Sequence, residues 1–152
     1  MVPGTNDPAI DATPEPATLA ALDAALFVPP WNQQTYAALL GNPAVRAWVA
    51  RDATDTPVAM LCVQTVADEA EVYRVGVLPA ARRRGIARRL MAAAAETLRA
   101  AGIRRMFLEV RAGNGPATAL YASLGFAPCG RRAGYYSAPV EDALLLEWRM
   151  AD

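Results

Sequence analysis

Val75-Gly76-Val77-Leu78-Pro79-Ala80-Ala81-Arg82-Arg83-Arg84-Gly85-Ile86-Ala87 reads as a buried strand, a proline-terminated edge, a tight loop of arginine and glycine, and the start of a helix. Ile86, Leu90, Ala94, Leu98 and Ala101 recur beyond it at helical spacing, and Gly102 supplies the stop. A helix start is a cluster of unpaired backbone N–H groups carrying partial positive charge. Three arginines there oppose the macrodipole unless an anion sits among them, and a phosphate or pyrophosphate meets that requirement. The alternative is a solvated helix start with ordinary surface arginines.

Other phosphate motifs do not fit. No Gly-Lys-Ser/Thr follows the loop, and the chain contains no lysine, which excludes a P-loop. Gly-x-Gly-x-x-Gly, the dinucleotide fingerprint, does not follow the strand either. An arginine triplet could serve nucleic acid, but 15 basic residues are matched by 15 acidic ones, and a net charge of zero argues against direct nucleic-acid binding.

A chain of 152 residues is long enough for a single domain with one well-buried core. Cys62 and Cys129 are far apart and lack Cys-x-x-Cys spacing, so free thiols in a reducing, cytoplasmic setting are expected. No apolar run reaches membrane-spanning length, and no basic start with an apolar core marks a signal peptide. The chain has no histidine, which excludes an imidazole base, a histidine triad and the zinc chemistry that relies on it. Acid–base work at neutral pH is left to carboxylate, tyrosine, cysteine or water, and no metal is expected.

Residues 1–16 are rich in Pro, Asp and Thr without an apolar period and read as a mobile tail, leaving 17–152 as the folded domain. A helix is predicted from Thr18, with Leu19, Leu22, Ala25 and Leu26 on one side, ending at Pro29-Pro30, and a second from Trp31 to Leu40. Three strands in a meander follow, at Val45–Val49, Val58–Val66 and Glu71–Val77. After the arginine loop and its helix come a strand at Arg105–Arg111, a helix at Ala117–Leu124 capped by Gly125, and strands at Ala127–Tyr136 and Asp142–Arg149. The fold class is mixed α/β: a twisted, mostly antiparallel sheet, splayed after its third strand, with helices on both faces.

Glu109 interrupts an otherwise apolar strand centre, and a carboxylate there is either paired with an arginine (Arg111 or Arg74) or kept for proton transfer. Tyr121 shares a helix face with Ala117, Leu120 and Leu124, where a tyrosine is either a core residue or an acid. Taken together, strand, Asn114-Gly115 turn and helix are expected to bring both groups to the same sheet as the phosphate loop. Asn-Gly is also an ordinary turn pair, and Tyr135-Tyr136 are either strand aromatics or the lining of a peptide groove.

These residues resemble a known family. Val75 to Ala87 is similar to the acetyl-CoA motif of the GNAT acetyltransferases, Arg/Gln-x-x-Gly-x-Gly/Ala, written here as Arg82-Arg83-Arg84-Gly85-Ile86-Ala87. Leu108-Glu109-Val110-Arg111-Ala112-Gly113-Asn114 with Ala119-Leu120-Tyr121-Ala122-Ser123-Leu124-Gly125-Phe126 looks like the bacterial enzymes that acetylate the N-terminal alanine of a small-subunit ribosomal protein. Pro30-Trp31, Tyr135-Tyr136 and Glu141-Asp142-Ala143 fit the same group. The resemblance implies a GNAT fold, acetyl-CoA as co-substrate, and a protein N-terminal peptide as partner, with the enzyme a monomer or weak dimer. It implies Glu109 as general base and Tyr121 as general acid. It implies Val75, Gly76 and Val77 along the pantetheine arm, Arg83, Arg84, Gly85, Ile86, Ala87 and Arg88 at the pyrophosphate, and Asn114 as a further coenzyme contact. Ala87 stands where the motif often has its last glycine, and Arg131 to Glu141 departs in detail, which bears on peptide preference. Rival readings are acetylation of other protein N-termini or of a small amine, and an acetyl-CoA-binding module without turnover.

Overall fold

Apolar residues run almost unbroken from Val58 to Val63, and this stretch is buried on both faces, as a central strand requires. It belongs to β3 (Pro57–Val66), which pairs antiparallel with β2 (Val45–Arg51). The computed structural model describes residues 8–137 and 139–150. Besides these two strands it contains β1 (Ala9–Asp11), α1 (Pro16–Leu26), α2 (Gln33–Leu40), β4 (Glu69–Val77), α3 (Ile86–Ala100), β5 (Arg105–Arg111), α4 (Gly115–Leu124), β6 (Phe126–Ser137) and β7 (Val140–Arg149). The sheet order is β1-β2-β3-β4-β5-β7-β6, with β4–β5 paired in parallel. The fold is mixed α/β, as expected.

Ala9–Asp11, inside the stretch read as a tail, pairs with Arg51–Val49 as an edge strand. Three residues are too short for an alternation to register in sequence. Residues 1–7 of that stretch lie outside the described residues.

The described contacts group into two compact units. One comprises the residues up to Gln64 together with Tyr73–Glu96, and the other Thr65–Val72 and the residues from Thr97. In the first, Leu19 and Leu22 of α1 and Tyr36 of α2 pack with Val45, Ala47 and Val49 of β2 and Met60 and Cys62 of β3. The register explains the set: Ala47 faces Cys62 and Val49 faces Met60, so these side chains share one side of the β2–β3 pair. Asn32 caps α2 by accepting from the Thr35 N–H at 2.9 Å. On α1 the buried side includes Asp23 and omits Ala25, because Asp23 is fully enclosed by partners named below.

In the second unit, Met106, Leu108 and Val110 of β5 are buried and Phe107, Glu109 and Arg111 lie on the opposite face, as the alternation predicts. β7 inserts between β5 and β6, so the last two strands enter the sheet in reversed order. α4 stops at Gly125, whose φ of 114° lies in the region glycine alone adopts without strain. The indole nitrogen of Trp148 sits 2.7 Å from where a Cβ would stand there, so the position excludes side chains twice over.

Candidate active site

In the first unit, β4 carries Val75-Gly76-Val77, all half-buried. The register of β4 with β5 covers Glu69–Glu71, so these three residues lie beyond the paired stretch. At Gly76 a Cβ would stand 3.0 Å from Leu26 Cδ1 and 3.3 Å from Phe27 Cζ, so the end of α1 crosses directly over the strand. The Val77 carbonyl accepts from Arg82 Nε at 3.0 Å, which ties the arginine loop back to β4.

Beyond a 3-10 turn at Pro79–Ala81, Arg83 and Gly85 take φ values of 67° and 74°. Glycine reaches this region freely. Arg83 does so under steric strain of the kind found at ligand clamps. Nothing lies within 4 Å of where a Gly85 Cβ would stand, so the turn opens onto free space. Ile86 is buried and fixes the start of α3, whose first turn contains no acidic residue. Arg83, Arg84 and Arg88 are exposed, and Ala87 is half-buried. Helix-start N–H groups beneath an open turn with exposed guanidiniums fit the pyrophosphate of a coenzyme.

In the second unit, Glu109 has a different partner from those expected. Arg74 binds Asp23 at 2.9 Å, Arg111 binds Glu141 at 3.3 Å, and Glu109 Oε1 lies 3.7 Å from Arg132 Nη2. The strand register shows why. Glu109 sits opposite Leu145 and, across β7, Gly130; Arg111 sits opposite Ala143 and, across β7, Arg132. An extra residue at Cys129, between Pro128 and Gly130, shifts β6 by one position and turns Arg132 onto the Glu109 face. Arg131 is left on the other face, where it binds Asp142 at 2.6 Å. The Glu109 side chain is 28% exposed and that of Arg132 55%, so the pair is solvated and yields to a substrate at small cost.

Tyr136 stands on the same face, opposite Glu141. Burial first, and then the charge of Glu109, raise its hydroxyl above the ordinary tyrosine pKa. Arg111 lies over the Tyr136 ring at 4.2 Å and Arg132 over the Tyr135 ring at 5.4 Å, with the two rings nearly perpendicular 5.2 Å apart. Glu141 also accepts from the Gly113 N–H at 2.5 Å, which pins the β5–α4 turn to the β6–β7 hairpin. No local signal in the sequence gives Arg132 and Glu141 these contacts, because they depend on β7 lying between its neighbours.

Asn114 caps α4, its Oδ1 accepting from the Ala117 N–H at 3.2 Å. The capping role accounts for its side-chain oxygen. Tyr121 is 9% exposed; its ring meets Phe126 edge-on at 5.7 Å, and Phe126 in turn packs on Trp148 at 5.5 Å. Burial pushes its hydroxyl up to about 12. That hydroxyl makes no hydrogen bond to any described residue. A packed ring with an unengaged hydroxyl leaves one donor available to a bound group. Among the described residues no cluster of three His, Cys, Asp or Glu could hold a metal ion, and no helix is long and apolar enough to cross a membrane.

A strand whose end extends beyond its pairing with β5, an arginine–glycine turn and a helix start together invite comparison with coenzyme-dependent transferases. The model of the acetyltransferase (GNAT) family matches residues 17–126. The chain belongs to the GNAT acetyltransferases. It is similar to the [ribosomal protein bS18]-alanine N-acetyltransferase of Salmonella typhimurium, 34% identical over 119 residues, which are 77% of this chain and 79% of that protein. The enzyme of the same description from Escherichia coli K12 is 33% identical with the same coverage. The crystal structure of the ribosomal-protein-S18-alanine N-acetyltransferase from Escherichia coli superposes with a TM-score of 0.84 at 26% identity, covering 95% of each chain. GNAT acetyltransferases use acetyl-CoA as their acyl donor.

Proposed function

We propose that this GNAT chain transfers the acetyl group of acetyl-CoA to the N-terminal α-amine of a protein, an alanine of a small-subunit ribosomal protein. The observation that carries this reading is the 34% identity, over nearly four-fifths of both chains, to an enzyme described as acting on that kind of target. Two free cysteines, Cys62 buried and Cys129 exposed, agree with a cytoplasmic setting.

The steps follow from the residues. Val75, Gly76 and Val77 offer backbone groups to the amide-bearing arm of the coenzyme, and the turn from Arg83 to Arg88 receives its pyrophosphate. The amide side chain of Asn114 adds a coenzyme contact beside its capping role. An α-amino group with an ordinary pKa of ~7.7–8.0 is largely protonated at neutral pH and not nucleophilic. Glu109 removes that proton, directly or through water, with Arg132 giving up the carboxylate as the amine approaches. The freed amine attacks the thioester carbon, and the backbone N–H of Val77 steadies the developing oxyanion, a role worth roughly 10²–10³ in rate in other enzymes. Tyr121 directs its hydroxyl hydrogen at the sulfur and hydrogen-bonds the charge gathering there as the C–S bond breaks, and the departing thiolate takes its proton from solvent, leaving an acetylated amine and CoA.

The test is incubation of the purified chain with acetyl-CoA and peptides beginning with alanine, read by mass spectrometry, with lysine-bearing peptides blocked at the N-terminus and polyamines as competitors. A mass gain of one acetyl group on the α-amine of the alanine peptide is expected. Acetylation confined to side-chain or small-molecule amines would overturn the reading.

A further inference from the structure

Arg74 takes no part in the steps above, yet it organises the segment joining α1 to α2. Asp23 is the completely buried charged residue beneath it. It accepts from the Tyr36 hydroxyl, from the Trp31 N–H at 2.8 Å and from Arg74 Nη1 at 2.9 Å. The Arg74 guanidinium lies 4.0 Å from the centre of the Trp31 ring and 4.8 Å from that of Phe27, and its Nη2 donates to the Pro29 carbonyl at 3.3 Å. One guanidinium thus holds Phe27 by its ring, Pro29 by its carbonyl and Trp31 by its ring. Val28, within this segment, is 97% exposed. Because Leu26 and Phe27 sit directly over Gly76, the clamp sets how far this segment stands from the β4 end.

Arginine suits the task for a physical reason. A planar cation stacks on aromatic rings through its faces while its edge nitrogens donate to a carboxylate and a carbonyl. An ammonium group is a point charge and does not combine these contacts. A buried ion pair is also a poor device for stability alone, since apolar residues of like volume serve as well; what it supplies here is a fixed geometry.

We propose that Arg74 is a positioning residue for the acyl acceptor: by clamping Phe27–Trp31 onto β4 it holds this segment, with the exposed Val28 in it, as a fixed wall for the incoming peptide. The inference rests on the proposed function, in which Val75–Val77 line the coenzyme arm and a peptide N-terminus must approach beside them.

R74K keeps a cation for Asp23 but cannot stack on the rings and bind the Pro29 carbonyl together. W31L keeps the Arg74–Asp23 pair and removes one ring, so it decides the matter if the arginine variant does not fold. Both are compared with the unmodified chain in thermal melts, acetyl-CoA titrations and steady-state kinetics on a peptide beginning with alanine, well below the melting midpoints. The expected result is a peptide KM raised about tenfold, with kcat and acetyl-CoA affinity each within about twofold, in R74K and in W31L. An unchanged peptide KM in a folded variant, or a loss falling equally on acetyl-CoA affinity, overturns the positioning role while the function stands. If the unmodified chain binds acetyl-CoA but leaves the peptide untouched, the proposed function falls and takes this role with it.

Discussion

Replacing Tyr121 by phenylalanine separates packing from chemistry at one atom. The ring contact with Phe126 at 5.7 Å survives, and the lost hydroxyl breaks no hydrogen bond to a described residue, so stability should change by less than about 1 kcal/mol. The chemical step should not be spared. With its hydroxyl pushed up to about 12, Tyr121 keeps its proton at any physiological pH. A thiol of ordinary pKa ~8.5 is the stronger acid by about 3.5 in pKa, so complete transfer of the phenolic proton to a free thiolate is uphill by about 5 kcal/mol. The hydroxyl therefore acts mainly as a hydrogen-bond donor to sulfur as negative charge gathers there, and solvent restores the final proton balance. A hydrogen bond to a charged group is worth ~1.5–3 kcal/mol, which converts to a loss of roughly 10- to 150-fold in the variant. Single-turnover acetyl transfer, with enzyme in excess over acetyl-CoA and a peptide beginning with alanine, reads this step alone. A rate within about threefold of the unmodified chain, with both proteins folded, refutes the donor role and returns Tyr121 to the core. A loss matched by weaker acetyl-CoA binding refutes it as well.

Glu109→Gln should lower kcat by ~10²–10⁴ at neutral pH with acetyl-CoA affinity unchanged, and should recover activity above pH ~8, where the amine loses its proton unaided; rate profiles from pH 6 to 10 check this. Asp23→Ala strands the Arg74 cation and the Trp31 N–H in a buried setting and should cost ~3–5 kcal/mol, read by urea titration, with Asp23→Asn falling less far. Alkaline stability should follow the buried Cys62 thiol, pushed up to about 11 by burial, and Tyr121. Both groups hold their protons longer in the folded chain than in the unfolded one. Their contributions are intact below pH ~9 and ~10 respectively and are lost as pH rises toward 11 and 12, each falling by about 1.4 kcal/mol for every step of one in pH. Cys62→Ala should flatten the decline between pH 9 and 11 in chemical melts, whatever it does to stability at neutral pH.

Much of this architecture was legible because local rules act alone. Ile86, Leu90, Ala94 and Leu98 are all buried on α3, and Met106, Leu108 and Val110 on β5, since periodicity reports which face meets a core. Gly125 ends α4 for the backbone reason that glycines usually do. What sequence hid was set by distant strands. The partner of Glu109 lies beyond β7, and its identity turns on the added residue at Cys129, so neither Arg111 nor Arg74 filled the role expected of them. The burial of Asp23 on α1 is hidden in the sequence because a hydrophobicity pattern assigns carboxylates to solvent, whereas three donors from Trp31, Tyr36 and Arg74 enclose this one.

The irregular pairing at Cys129 also bears on how β6 tolerates error. In most strands a one-residue slip is ruinous, because it exchanges everything that each face presents. Here the two residues that would trade places, Arg131 and Arg132, are identical, and each has an acidic neighbour on its own side, Asp142 and Glu109. The tandem is a spare: were the extra residue absorbed into regular pairing, Arg131 would stand where Arg132 stands now. The position of the irregularity can therefore drift through variation without an intermediate in which Glu109 faces no cation.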